Sequence, residues 1–203
     1  MQDVQSQPKF VHLRCHSEYS IVDGTTRVED YVSHAIKDQM PALALTDLSN
    51  LFGAIKFYKA ARGGGIKPII GCDLWLENAQ NRDQPSRIML LCQSVQGYSK
   101  LCTLLSRAYL ENQHRGHPEI KRDWLLESGT DGLILLSGAM MGDVGQALLQ
   151  NNHQQAKQLA EEWARLFPNR FYIELQRAGH AQQEAYISRA LNLSADLDLP
   201  VVA

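Results

Sequence analysis

The sequence predicts an α/β fold, in which short buried strands alternate with longer amphipathic helices. The first observation behind this prediction is a series of short, continuously apolar runs, which are typical of parallel strands covered on both faces. The second is that the stretches between these runs place apolar residues at helical spacing. The chain is also long enough for one such domain, or at most two small ones, because 203 residues with 44% hydrophobic content can bury a core without disulfides or metals.

The first part of the chain is predicted to form three strands and two helices in alternation. The strands are residues 10–13, 41–45 and 66–72, and the helices are residues 28–37 and 51–62. In the first helix the apolar residues share one face: Val28, Tyr31, Val32, Ala35 and Ile36. We expect the run of glycines after the second helix to end it, since glycine favours helix termini.

The alternation continues through the rest of the chain. The further strands are residues 88–91, 133–136 and 171–175, and the further helices are residues 98–109, 153–167 and 181–197. Residues 199–203 look like the start of another buried strand. Because a domain rarely ends within a core strand, we expect the chain to be a fragment that is truncated at its C-terminal end.

Composition excludes several classes of protein. The chain has 20 Lys+Arg and 22 Asp+Glu residues, a net charge of −2, so it lacks the basic excess of a nucleic-acid-binding domain, although a local basic patch stays open. Residues 1–8 are polar and include Asp3, unlike a signal peptide, and no apolar run reaches membrane-spanning length. The four cysteines show no C-x-x-C spacing, which favours reduced core thiols. We therefore expect a cytoplasmic protein without membrane contact.

Candidate functional residues follow the predicted strands at their carboxyl ends, where parallel α/β folds bind ligands. Cys15 and His16 follow the first strand, Asp47 follows the second and Asp73 follows the third. The spacing allows His16 and Asp23 to reach one metal ion across the loop. It equally allows His16 to fasten the loop by a hydrogen bond, with Asp23 in a turn, and the residues alone leave both interpretations open.

Residues 12–24 resemble the first motif of the polymerase and histidinol phosphatase (PHP) family. The match extends through residues 41–47, 65–71 and 132–138, in the order that the family has them. The arrangement is similar to the N-terminal PHP domain in the alpha subunit of bacterial replicative, C-family DNA polymerases. The resemblance implies an irregular (β/α) barrel, related to the TIM barrel, and it makes residues 1–203 one incomplete PHP domain that lacks its C-terminal elements.

Active members of this family hold two or three metal ions with His, Asp, Glu and Cys ligands and hydrolyse phosphoesters. The resemblance places the metal cleft of this chain at Arg14, His16, Asp23, Asp47, Leu48, Asp73 and Ala139. Several of these depart from the family pattern: an arginine replaces the first histidine, a leucine replaces the histidine of Thr-Asp-His, and an aspartate replaces the glutamate of Gly-x-Glu. An alanine stands where relatives often have a cysteine.

These departures argue against a metal cluster. A guanidinium is always protonated and has no lone pair for a metal, and a leucine has no donor atom at all. His16, Asp23 and Asp73 remain as ligands, which are too few for a polynuclear site. We therefore expect no cofactor and no catalytic residue in this chain, and an ion pair of Arg14 with Asp23 or Asp73 in place of the lost metal. If a metal is held, it would be Zn²⁺ or Mn²⁺ on those three ligands.

The resemblance leads to a structural hypothesis for function. The domain would be a catalytically degenerate scaffold that stabilises the polymerase subunit and docks the proofreading exonuclease subunit. The parent protein would be a DNA-directed DNA polymerase, a nucleotidyltransferase that uses Mg²⁺ and contacts DNA outside this chain. The alternative is an active metal-dependent phosphoesterase, either a 3′–5′ exonuclease or a pyrophosphatase. A further alternative is DNA contact through the basic residues 114–122.

Overall fold

A computed structural model describes residues 10–203 of the chain. The predicted absence of a signal peptide concerns residues 1–8, which lie outside this range. The chain divides into two compact units, Met1–Gly71 and Cys72–Ala203, and each is described by itself. None of the helices in the described range combines the length and the apolar character that crossing a bilayer requires.

The predicted helices are present, and so are the predicted strands except the first, together with further short elements. The helices are α1 (Val28–Lys37), α2 (Ala54–Gly63), α3 (Val95–Glu111), α4 (Arg122–Ser128), α5 (Asp143–Leu149), α6 (His153–Leu166) and α7 (Gln183–Leu197), with a 3₁₀ turn at Ala139–Met141. The strands are β1 (Ala42–Leu45), β2 (Lys67–Leu76), β3 (Ser86–Cys92), β4 (Gln113–His114), β5 (His117–Ile120), β6 (Leu133–Leu136), β7 (Phe171–Glu174) and β8 (Val201–Val202).

The first unit is built on β1 and the beginning of β2, which pair in parallel from Ala42 opposite Lys67 to Leu45 opposite Ile70. Helices α1 and α2 cover these strands. The core between them consists of buried apolar side chains: Cys15, Val28, Val32, Ala35, Leu43, Leu45, Phe57, Ala61 and Ile66. This arrangement fixes where β1 ends, and Asp47 is the second residue after that end.

Helix α1 has the predicted bounds, because several local signals agree. Its buried residues are spaced three or four apart, and acidic residues occupy its first turn, where they complement the helix dipole. The carboxylate of Glu18 accepts a hydrogen bond from the Val28 N–H at 2.8 Å. Glu18 also bonds Lys56 of α2 at 2.9 Å, so the loop before α1 is connected to both helices.

The predicted first strand is wrong, since residues 10–13 form no strand. The segment does run beside β1, where the Ala44 N–H donates to His12 O and the Thr46 N–H donates to Cys15 O, each at 3.0 Å. The two carbonyl acceptors are three positions apart in the sequence, whereas the two amide donors are two positions apart. This mismatch interrupts the regular ladder in the way that a bulge does.

The second unit contains a mixed sheet, whose strands are hydrogen bonded in the order β4-β5-β2-β3-β6-β7-β8. Strands β2 and β5, β6 and β7, and β7 and β8 pair in parallel. Strand β3 runs antiparallel to β6, with Met89 opposite Leu136, so the expectation of parallel strands throughout is wrong. A continuously apolar strand shows that both faces are covered, but it does not determine strand direction.

The second unit also contains short elements that the sequence did not predict. Strands β4 and β5 form a hairpin around Arg115 and Gly116, which have φ values of 50° and 83°. Two consecutive residues with positive φ form the tight turn that best fits the twist of a hairpin. Helices α4 and α5 have seven residues each, too few to show a helical period in the sequence.

Candidate functional site

The loop that follows residues 10–13 is folded around the carboxylate of Asp47, a residue that is 1% exposed. Its Oδ1 accepts hydrogen bonds from the Ser17 N–H at 2.6 Å and from the Ser20 hydroxyl at 2.7 Å. The Ser17 hydroxyl lies 3.0 Å from Oδ1 and 2.9 Å from Oδ2. This predicted cleft carboxylate therefore serves as an acceptor that holds the loop in place.

Cys15 and Thr46 provide a second attachment of the loop to β1. The Cys15 N–H donates to Thr46 Oγ1 at 2.9 Å, and the Thr46 N–H donates to the Cys15 carbonyl at 3.0 Å. Burial, followed by the negative charge of Asp47, raises the pKa of the Cys15 thiol to about 12. A metal binds the thiolate, so a thiol held in its protonated form is a poor ligand.

His16 and Asp23 are brought together by the loop. His16 Nδ1 lies 2.9 Å from Asp23 Oδ1, and the Tyr31 hydroxyl donates to the His16 carbonyl at 3.0 Å. Gly24 is essential to this turn, since a Cβ there would lie 1.9 Å from the Ser17 carbonyl oxygen. Two of the three candidate metal ligands are thus neighbours, joined by a hydrogen bond to each other.

Arg14 and Leu48 flank this network, and both are half-buried. The Leu48 N–H donates to the Ser20 hydroxyl at 2.9 Å, which ties its backbone to the loop. Leu48 offers no donor atom for a metal, as the sequence indicates. An ion pair of Arg14 with Asp23 or Asp73 stays a prediction.

In the second unit, Asp73 lies within β2 with a side chain that is 0% exposed, and its charge is met by an arginine. Arg87 Nη1, from the start of β3, lies 3.3 Å from Asp73 Oδ2. The same guanidinium stacks on the ring of Trp75, 4.4 Å from its centroid. Arg87 is not among the predicted site residues, and its only signal in the sequence is a lone arginine at the edge of an apolar strand.

Ala139 is buried and lies in a left-handed backbone conformation, with φ 49°. It begins the 3₁₀ turn that follows β6, directly after Gly138, which has φ 79°. The side chain at this predicted cleft position is a methyl group, which cannot bind a metal. The alignment of Ala139 with the family cysteine stays a prediction.

The residues present do not fit the cluster of two or three metal ions that the family pattern implies. Within residues 10–203, no group of three or more His, Cys, Asp or Glu side chains is arranged to hold a metal ion. The carboxylate of Asp47 is engaged by serines, and that of Asp73 by an arginine. An arginine next to a carboxylate also opposes the approach of a second cation.

The basic residues 114–122 form the β4–β5 hairpin and the start of α4, and several of their charges are paired. Arg115 Nη2 lies 2.8 Å from Asp83 Oδ2. Arg122 pairs with Asp143 at 2.6 Å, pairs also with Glu162, and stacks over the ring of Trp163. Arg122 therefore joins α4, α5 and α6, which is a structural role.

The model of the PHP domain family matches residues 12–178 of this chain. The match includes the loop around Asp47, the His16–Asp23 pair, strand β2 with Asp73, and the turn at Ala139. It therefore spans all of the positions at which the sequence predicts a metal cleft.

Curated relatives named DNA polymerase III subunit alpha align along nearly the whole chain. The relative from Vibrio cholerae is 44% identical over 198 residues, which are 98% of this chain and 17% of the relative. The relative from Pseudomonas fluorescens is 44% identical over 96% of this chain, and that from Escherichia coli K12 is 42% identical over 98%. The chain spans about 17% of the length of the first of these relatives.

Two solved structures share the fold. One is described as a metal-dependent phosphoesterase from Bifidobacterium adolescentis, with a TM-score of 0.56 and 12% identity over 96% of this chain and 86% of that one. The other is an amidohydrolase from Chromobacterium violaceum with bound sulfate and no metal, with a TM-score of 0.58 and 15% identity over 94% and 84%. These likenesses concern the fold alone, and they confirm the predicted class, a PHP-type α/β architecture.

Proposed function

This chain belongs to the PHP domain family, and from that premise we propose that it is the PHP portion of a DNA polymerase III alpha subunit. Within such a subunit it acts as a metal-free scaffold, in the cytoplasm, while DNA synthesis with Mg²⁺ and contact with DNA belong to the rest of the subunit. The identity to polymerase alpha subunits over nearly the whole chain supports the first part of the proposal.

The observation that carries the scaffold role is the engagement of Asp73 by Arg87. A fully buried carboxylate needs hydrogen-bond donors or a positive partner, and a metal ion is one way to supply the positive charge. Here the chain supplies it from its own strand β3. The acceptor role of Asp47 adds to this, since its oxygens bind the loop hydroxyls.

The metal-free proposal predicts the outcome of a calorimetric titration with Zn²⁺ or Mn²⁺. We expect the full-length subunit to show no stoichiometric, sub-micromolar binding that depends on His16, Asp23 or Asp73. The double variant Arg14→His with Leu48→His is expected to raise metal affinity, since it restores two donors. Tight binding by the unaltered protein, lost on His16→Ala, would contradict the scaffold proposal and favour the phosphoesterase alternative.

Exposed apolar side chains of the first unit support a docking role. The loop that carries the His16–Asp23 pair contains Ile21 and Val22, which are 90% and 87% exposed, and Phe52 before α2 is 74% exposed. Ile55 and Tyr58 are also exposed and lie on one face of α2. Large exposed apolar side chains mark interaction surfaces, and we assign Ile21 and Val22 to the proofreading exonuclease subunit.

The docking role predicts a specific loss of binding. We expect Ile21→Ser with Val22→Ser, in the full-length subunit, to weaken binding of the exonuclease subunit by roughly tenfold, because such anchors carry much of an interface energy. Leu110→Ser in α3 is the matched control, since Leu110 is similarly exposed and lies in the other unit. Unchanged binding measured by surface plasmon resonance would remove this surface as the docking site.

A further inference from the structure

The second unit contains a cleft of about 590 Å³ that the proposed function does not use. Its walls are Trp75 near the end of β2, the segment of residues 82–85, the turn of the β4–β5 hairpin, and the C-terminal turn of α5. All of these lie within residues 72–203. The volume is in the range of clefts that bind small molecules.

In one wall of the cleft, His114 and Arg115 form a site for an oxyanion, the oxyanion site. His114 Nε2 lies 2.8 Å from Asp83 Oδ1, and Arg115 Nη2 lies 2.8 Å from Asp83 Oδ2. Two neighbouring side chains therefore hold both oxygens of one carboxylate. The tight turn at Arg115 and Gly116 presents these side chains next to each other.

The ion pairs that hold this carboxylate are in contact with water. The side chains of Asp83 and Arg115 are 49% and 67% exposed, and an ion pair in contact with water adds little to stability. The hydrogen bond from His114 is the main reason that the pKa of Asp83 lies below its usual value. A phosphate has more charge and more acceptor oxygens than a carboxylate, so it can replace Asp83 between the same two groups.

Three planar side-chain groups lie together at the same cleft. The rings of Trp75 and His117 have centroids 4.6 Å apart and are tilted by 48°, and the Arg87 guanidinium lies over the ring of Trp75. Both rings line the cleft, and both residues are half-buried. Stacking on aromatic side chains is the way in which proteins bind the face of a base.

Amide side chains complete the lining. Gln84 lies next to the oxyanion site. Gln146 of α5 and Gln150, the residue after α5, also line the cleft. Each amide offers both a donor and an acceptor. The edge of a nucleobase presents donors and acceptors together, which such amides can bind.

We propose that this cleft binds a nucleotide, with its phosphate between His114 and Arg115 and its base against the ring pair of Trp75 and His117. The phosphate displaces the carboxylate of Asp83, which occupies the oxyanion site when no nucleotide is bound. The nucleotide is either free or the terminal nucleotide of a single strand, since both carry the same phosphate and base. The inference depends neither on the metal content nor on the docking surface proposed above.

Photoaffinity labelling of the full-length protein tests this inference. The probe is 8-azidoadenosine 5′-monophosphate. EDTA is present so that nucleotide sites elsewhere that depend on magnesium do not bind the probe. Labelled peptides are mapped by mass spectrometry. We expect labelling of the peptides that contain Trp75 or His117. Arg115→Ala is expected to reduce it roughly tenfold, as for loss of a charge-assisted hydrogen bond, whereas Asp83→Asn increases it by removing the competitor.

Arg165→Ala is the matched control, because Arg165 is an exposed arginine of α6 in the same unit, and it should leave labelling unchanged. Labelling that is absent from this cleft, or that persists in Arg115→Ala, overturns the proposal. Competition by inorganic phosphate as strong as that by AMP also overturns it, since the base would then contribute nothing. If a 5′-phosphorylated oligonucleotide competes more strongly than AMP, the proposal is supported and the ligand is the end of a strand. If AMP competes and the oligonucleotide does not, the ligand is the free nucleotide.

Discussion

Replacing Asp47 with alanine is expected to destabilise the first unit by about 3–5 kcal/mol, because it leaves several buried hydrogen-bond donors without an acceptor. The substitution deletes the acceptor for the Ser17 N–H and for the hydroxyls of Ser17 and Ser20, all of them buried. Each buried donor left without a partner costs about 1–3 kcal/mol. A loss of this size is a large part of the total stability of a typical domain, so we expect the loop to detach from β1.

Denaturant unfolding of the full chain measures this effect, and hydrogen exchange of the peptides from residues 14–24 locates it. Asp38→Ala is the matched control, because Asp38 follows α1 and is exposed, and it should leave the unfolding free energy unchanged. Asp47→Asn should lie between the two, since it keeps one acceptor oxygen. If Asp47→Ala unfolds at the denaturant concentration of the parent, the loop is held by other contacts.

Gly24→Ala is expected to destabilise the same loop by about 2–4 kcal/mol through steric overlap. A Cβ on Gly24 would lie 1.9 Å from the Ser17 carbonyl oxygen and 3.1 Å from the Ser20 Cβ. The first of these atoms belongs to the backbone, so the clash cannot be relieved by a rotamer change. The turn must open, which would separate His16 from Asp23.

Gly63→Ala is the control for this substitution, because a Cβ on Gly63 would meet nothing within 4 Å and the residue lies at the end of α2. Since alanine restricts the unfolded chain and favours the helix, we expect a gain of up to about 1 kcal/mol. Thermal unfolding of the two variants gives the comparison. Equal unfolding temperatures for both would show that the turn can adapt without cost.

Long amphipathic elements could be predicted well from the sequence, as α1 shows, because its apolar spacing, its acidic first turn and the polar residues after it all agree. The hairpin at residues 113–120 and the seven-residue helices α4 and α5 could not, since each is shorter than the window in which a period becomes visible. Strand direction escaped prediction for a different reason: β3 and β6 are apolar enough for either orientation.

The sequence proposes positions for the candidate site, but it does not indicate the partners of those residues. The family resemblance identifies Asp47 and Asp73, while their roles depend on residues that the fold brings to them. Arg87 is 14 positions from Asp73 in the sequence, on a different strand, and no local pattern joins the two. The pairing of His16 with Asp23 lies within one loop, and there the spacing did indicate that the two could meet.

The pairing of Asp73 with Arg87 also bears on how this part of the chain matures. A cation that belongs to the chain is present as soon as β3 has been synthesised, always in a one-to-one ratio with its carboxylate. It cannot be removed by a chelator or exchanged for the wrong ion, and no delivery protein has to supply it. On the metal-free proposal, assembly of this strand pair therefore does not depend on the metal status of the cell.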